Sequence, residues 1–179
     1  MATRMKAKNA PSPMTDRLYA TSHLVTTILA GIVTGFYLSH TLVLGRMFSW
    51  LAEPSRLSLL NQTYSEFRVL HPPLLYIAVI CIQQVAALAF SILSVLLRRQ
   101  AFPAAAAAVC TLVVPLIHVA SGFFRLEVGV VSGAVRDSAQ LSRFGAWNVP
   151  IHLFHTAATL AAFIILCRIN PVASRAVAV

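Results

Sequence analysis

The stretch "PLLYIAVICIQQVAALAFSILSVLLRRQAFPAAAAAVCTLVVPLIHVASGFF", Pro73 to Phe124, decides the fold. Two charged residues occur in it, Arg98 and Arg99, and they stand side by side in "RRQAFP". The apolar runs on either side, roughly Pro73–Leu97 and Pro103–Phe123, each meet the length of about 20 residues that a helix needs to cross a bilayer. A short basic link between two such runs predicts two antiparallel spanning helices joined by a tight turn.

Working outward, two further runs meet the same length, roughly Tyr19–Leu44 and Val149–Cys167. The composition agrees: 58% of the 179 residues are hydrophobic, 11% are charged, and mean hydropathy is +0.78. A soluble domain carries about a quarter charged residues. The expected fold is all-α, an integral membrane four-helix bundle. Residues 1–18 form a basic tail, 19–168 the transmembrane domain and 169–179 a C-terminal tail. The first apolar run is too long for a signal-peptide core, so the N-terminal tail is read as retained. Residues 46–71, with "SRLSLLNQTYSEF", predict a short amphipathic surface segment between the first two spans. Residues 124–147 read as a polar connection.

The net charge of +9 is a flank signal and not a nucleic-acid footprint. Arg4, Lys6, Lys8, Arg17, Arg98, Arg99, Arg168 and Arg175 fall on one side of the bundle, against Arg46, Arg56, Arg68, Arg125, Arg136 and Arg143 on the other. The positive-inside rule then puts both termini in the cytoplasm of a bacterial inner membrane. Cys81, Cys110 and Cys167 lie in apolar runs with no C-x-x-C spacing, which argues against thiol redox chemistry. Gly31-x-x-x-Gly35 and the alanines at 104–108 suit close helix packing.

The histidines carry the functional signal. With alternating helix direction, His40, His71, His118, His152 and His155 all fall within roughly 10 Å of the same ends of the spans, at 1.5 Å rise per residue. All four spans therefore contribute an imidazole at one level. His23 falls at the opposite end and reads as interfacial. Asn148, His152 and His155 share one helix face, and His152 and His155 can chelate one ion or serve two neighbouring ones. Asn148 and Pro150 read as the cap and first turn of the last span. Taken singly, an intramembrane histidine is a neutral hydrogen-bonding group between helices. Five at one level point to a metal site, because ionisable side chains in a bilayer are costly and mark function.

Imidazole suits copper, iron and zinc alike. With no carboxylate in any span, copper is favoured, and a b-type haem held by paired histidines is the alternative. Glu66, on the surface segment, reads as the nearest carboxylate and Asn61 as a neighbouring polar group. Trp50 and Trp147 read either as interfacial anchors or as walls for an apolar substrate. Gln83 and Gln84 read as interhelical hydrogen-bonding groups.

The four spans, the Gly-x-x-x-Gly first helix, Asn61 in "LLNQTYSEF", "VPLIH" and "AWNVPIH" together resemble the anthrone-oxygenase-like family of small bacterial membrane proteins. The similarity covers about residues 24 to 167. It implies oxygenation of an aromatic polyketide-like substrate, with Asn61, His118, Trp147, Asn148 and His152 at the family's recurrent polar positions. Here histidines stand where that family is expected to carry Asn, Asp or Arg, which favours a metal over a cofactor-free mechanism. The expected function is a metal-dependent oxidoreductase of monooxygenase type near the periplasmic face. Its ligands would be His40, His71, His118, His152 and His155, with Asn61, Glu66, Trp147 and Asn148 around them. The expected partners are the lipid bilayer and a small-molecule substrate, with self-association left open. A b-haem electron-transfer subunit and a non-enzymatic metal-handling protein are the rivals.

Overall fold

The structure is a computed structural model that describes residues 12–65, 72–135 and 137–171. Every regular element among them is helical. Among the described residues, four helices are long and apolar enough to cross a membrane, spanning Pro13–Leu51, Leu74–Leu96, Ala101–Ala120 and Ser138–Arg168.

The first begins as α1 (Pro13–Ser39), capped by the Ser12 hydroxyl, which accepts from the Thr15 N–H, with Pro13 in the first turn. It passes through one π-helical turn, His40–Leu44, and continues as α2 (Gly45–Leu51). A short 3₁₀ turn, Pro54–Arg56, leads to α3 (Leu57–Ser65), within the predicted amphipathic segment. Then come α4 (Pro72–Leu96), α5 (Ala101–Ala120), α6 (Phe123–Ser132) and α7 (Ser138–Arg168). α7 packs on α1 and α5, and α4 also packs on α1 and α5, so α4 and α7 stand at opposite corners of a four-helix arrangement.

The distribution of side chains is that of a protein solvated by lipid. Leu24, Ile28, Ile32, Leu75, Ile82, Val85, Leu116, Leu160 and Ile164 face outward. Thr26, Thr34, Gln83, Ser91, Thr111, Asn148, His152, His155 and Thr159 are buried between helices. In a bilayer the polar groups must find partners inside the protein. Several do so here: Gln83 donates to Thr111 Oγ1 across α4 and α5 (3.1 Å), and Thr41 of the π turn and Thr156 of α7 are joined through their hydroxyls (3.0 Å).

Small residues set the spacing as expected, with one exception. Ala104, Ala107 and Ala108 are buried on α5. A Cβ on Gly31 would stand 3.2 Å from the Phe163 ring of α7. Gly35 faces open space, so only one glycine of the pair is a packing contact.

The α4–α5 turn is tight, with Arg98 and Gln100 both in the left-handed region (φ 53° and 49°). Arg99 between them folds back, pairing with Asp16 (2.7 Å), while Tyr19 Oη donates to its carbonyl (3.1 Å). His23 sits in this half of the bundle and donates to the Leu166 carbonyl (2.9 Å), tying α1 to α7.

The first and last spans and the segment between α5 and α7 differ from the sequence expectation. The first helix runs Pro13–Leu51 instead of roughly Tyr19–Leu44, because Ser12 and Pro13 start it early and the π turn carries it on into α2. α7 starts at Ser138, capped by Asp137, whose carboxylate accepts from the Ala139 and Gln140 N–H groups. Asn148 is therefore not a cap, and Pro150 lies inside the helix instead of opening it. A proline inside a helix removes one i→i−4 hydrogen bond and crowds the carbonyl of residue i−4, and the packing of α7 on α1 and α5 carries the helix through. Residues 124–147 are also not a loose polar connection. They hold most of α6 and the first turns of α7.

Candidate metal centre

The residues that meet do so in the half of the bundle away from the α4–α5 turn. His40 comes from the π turn after α1, His118 from the end of α5, and His152 and His155 from α7. The ring centroids of His40 and His152 are 3.7 Å apart, nearly parallel. His118 lies 5.1 Å from His155 and 6.0 Å from His152, and His152 lies 5.4 Å from His155.

The π turn places His40. It widens the helix by one residue, the Gly45 N–H reaching the His40 carbonyl. The His40 ring then folds over Gly45. A Cβ there would come within 2.7 Å of the His40 carbonyl oxygen and 2.9 Å of the ring. Only glycine leaves room for this ring position.

Asn148, fully buried, fixes the facing side chains. Its Nδ2 donates to the Gly45 carbonyl (2.8 Å) and to Ser49 Oγ (3.3 Å). Its Oδ1 thus faces His40 Nε2 (3.3 Å), which donates to it. Its backbone carbonyl accepts from His152 Nδ1 (2.8 Å). The neutral His152 ring then carries its lone pair on Nε2.

That lone pair faces a carboxylate. Glu127 Oε1 lies 3.5 Å from His152 Nε2, and Oε2 lies 2.9 Å from His118 Nε2. One ligand atom each of His40, Glu127 and His152 fall within 4.8 Å of one another. Metal bonds of about 2.0–2.2 Å put neighbouring donors roughly 3 Å apart, so small shifts would close this triad on an ion. Burial drives the Glu127 carboxyl upward, but the hydrogen bond from His118 pulls it down. Its pKa ends below the ordinary Glu value.

Glu127 was absent from the sequence-derived set, and the structure brings it in through α6. Gly122, in the left-handed region at φ 74°, reverses the chain after α5, and Ser121 Oγ accepts from the Phe123 N–H. α6 then runs back so that Glu127 meets His118. A signal was present in the sequence: Phe123, Glu127 and Val130 are spaced i, i+4, i+7, so the carboxylate shares the apolar face of a short amphipathic helix. Phe123 and Val130 are both buried.

The other expected residues divide. His40, His118, His152, His155 and Asn148 converge. Asn61, half-buried on α3, is not among the residues gathered at the histidines. Trp147 is 58% exposed on the outer surface, and Trp50 is exposed under the Arg56 guanidinium (4.1 Å). Glu66 and His71 lie outside the described residues. Aromatic rings line the cluster: Tyr37 at 5.0 Å from His155, Phe123 and Phe124 at 5.5 and 6.0 Å from His118, and Phe154 at 6.1 Å from His155.

No protein-family model, no curated protein and no solved structure matches this chain. The resemblance to anthrone-oxygenase-like proteins accordingly rests on its short motifs alone.

Proposed function

We propose that this chain is a membrane-embedded metalloprotein whose first-row transition ion is held by His40, His152 and Glu127, and that it acts as an oxygenase-type oxidoreductase on a small apolar or aromatic substrate. The observation that carries the reading is the His152–Glu127 pair. With Nδ1–H committed to the Asn148 carbonyl, Nε2 and the carboxylate are two electron-rich donors at 3.5 Å, an arrangement that a cation between them stabilises. Two histidines and one carboxylate are the donor set of non-haem iron oxygenases. Glu127 thus moves the preference from copper, favoured on histidines alone, to iron. The close stacking of His40 on His152 supports a compact ion over a haem plane between axial ligands.

Bound iron would supply the change of redox state and the open positions at which O₂ and substrate meet. The protein's own groups do the rest. Asn148 orients both His40 and His152. Glu127 offers one oxygen to the ion and keeps the other on His118, which holds a proton at Nε2. Phe124 and Phe154, each 39% exposed toward the lipid side, offer an apolar substrate a lateral approach and keep water from the cluster. The distribution of Lys and Arg supports both termini on the cytoplasmic side, with the metal centre near the outer face of a bacterial inner membrane.

Metal analysis of the purified protein tests this. Iron is expected at one ion or more per chain. Glu127→Gln and His152→Ala should each lower affinity by about tenfold or more, the size seen even for groups that only support metal ligands. Absence of iron, copper and zinc from the wild type, or unchanged binding in both variants, overturns the reading.

A further inference from the structure

The His40–Glu127–His152 triad leaves two of the four gathered imidazoles unaccounted for. His118 donates its Nε2–H to Glu127, so its Nδ1 is a bare lone pair, and that atom is buried with no hydrogen-bond partner. His155 is 1% exposed, and neither of its ring nitrogens has a partner. Three buried, unpartnered nitrogens on two rings 5.1 Å apart are rare in a folded protein, where nearly all buried polar atoms are paired. They are rarer still in a bilayer, which offers no solvent to pair with.

From these orphaned nitrogens we infer a second cation position between His118 and His155, beside the triad and resting on the metalloprotein reading proposed above. His118 Nδ1 and one nitrogen of His155 are its protein ligands. The tautomer of His118 is already set for this. A metal-ligating histidine ordinarily donates its other N–H to a carboxylate, which orients the ring and raises its basicity. Glu127 does this for His118 with one oxygen while its other oxygen faces the triad, so the two positions are linked through Glu127 and the His118 ring. The rings of Tyr37, Phe124 and Phe154 flank the two imidazoles, and substrate would take a remaining coordination position. A first-row ion fits these donors, since imidazole serves copper, iron and zinc.

Untagged protein in detergent, stripped with chelator and titrated with Co(II), tests the inference through bound-ion counts and the visible absorption of the ion. The wild type is expected to bind two ions per chain, and His155→Phe, which keeps a ring in place, one. His152→Phe should also bind one, with the absorption of the other site. A wild type that binds one ion, lost in His152→Phe and kept in His155→Phe, overturns the second position and leaves the triad standing. A wild type that binds none overturns the metalloprotein reading itself. Two ions in both wild type and His155→Phe place the second ion elsewhere and also overturn the inference. Should His155→Phe fail to fold, His118→Phe takes its place, with the same expected drop to one ion, and two ions in it overturn the inference equally.

Discussion

His152 Nε2 stands 3.5 Å from Glu127 Oε1, while His152 Nδ1 is bonded to the carbonyl of Asn148 one turn earlier on the same helix. The backbone of α7 thereby chooses which imidazole nitrogen faces the carboxylate. The choice needs no other side chain, because an i→i−4 hydrogen bond is set by helix geometry. Glu127, in contrast, arrives from an element outside the four long helices, and its position depends on the reversal at Gly122.

Asn148→Leu removes the hydrogen bonds to Gly45, Ser49 and His40 at a fully buried position. Each unsatisfied partner left behind costs about 1–3 kcal/mol. The variant is expected to melt well below the wild type and to bind metal about 10–100-fold more weakly, since His40 loses the side-chain amide that orients it, while His152 keeps its bond to the backbone carbonyl of residue 148. Thermal unfolding in detergent and competition with a chelator measure the two effects.

Gly45→Ala and Gly35→Ala make a matched pair. Alanine is ordinarily the better helix residue by about 1 kcal/mol. At Gly35, with nothing near the new Cβ, a gain of that sign is expected. At Gly45 the Cβ would meet the His40 carbonyl at 2.7 Å and its ring at 2.9 Å, so the sign reverses, with a loss of about 1–3 kcal/mol and displacement of His40. Melting temperatures that move in the same direction for both variants contradict the placement of His40.

The pH dependence follows from Glu127. Burial pushes its carboxyl up, but the His118 hydrogen bond pulls the pKa down, and it ends below the ordinary value. A depressed folded pKa contributes stability that is complete above the unfolded Glu value of about 4.3 and is lost as pH falls through the lower folded value. The stability difference between wild type and Glu127→Gln should therefore hold steady at neutral pH and shrink only under acid. A difference that disappears between pH 7 and 6 contradicts this account.

Arg99→Ala tests whether the two halves of the bundle are separable. It removes the partner of Asp16 from a nearly buried pair whose Arg99 side chain is 9% exposed. A loss of about 3 kcal/mol is expected, the cost of leaving one charge of a buried pair behind. Metal binding should stay within twofold of the wild type, because the histidines lie in the other half. A large loss of metal affinity in folded Arg99→Ala protein contradicts that separation.

Much was legible from the sequence because it is local or additive. Uncharged runs long enough to span identify the membrane helices, and the rise per residue puts His40, His118, His152 and His155 at one level. The tight basic turn at Arg98-Arg99 and the close-packing alanines of α5 follow from the same reasoning. Proline and asparagine misled at the head of α7. Pro150 and Asn148 match the preferences of a helix start, yet Asp137 caps the helix earlier, and tertiary packing on α1 and α5 holds the turn that contains Pro150.

By itself, the sequence determined an all-helical chain built for lipid, with histidines at a common depth, since periodicity and apolar length act within single segments. Only the tertiary structure decided that Glu127 joins them, that the Asn148 side chain meets His40, and that His155 is sealed in with unpartnered nitrogens. Those outcomes depend on how α6 folds back at Gly122 and on which faces α1, α5 and α7 turn toward one another, and no single helix encodes either.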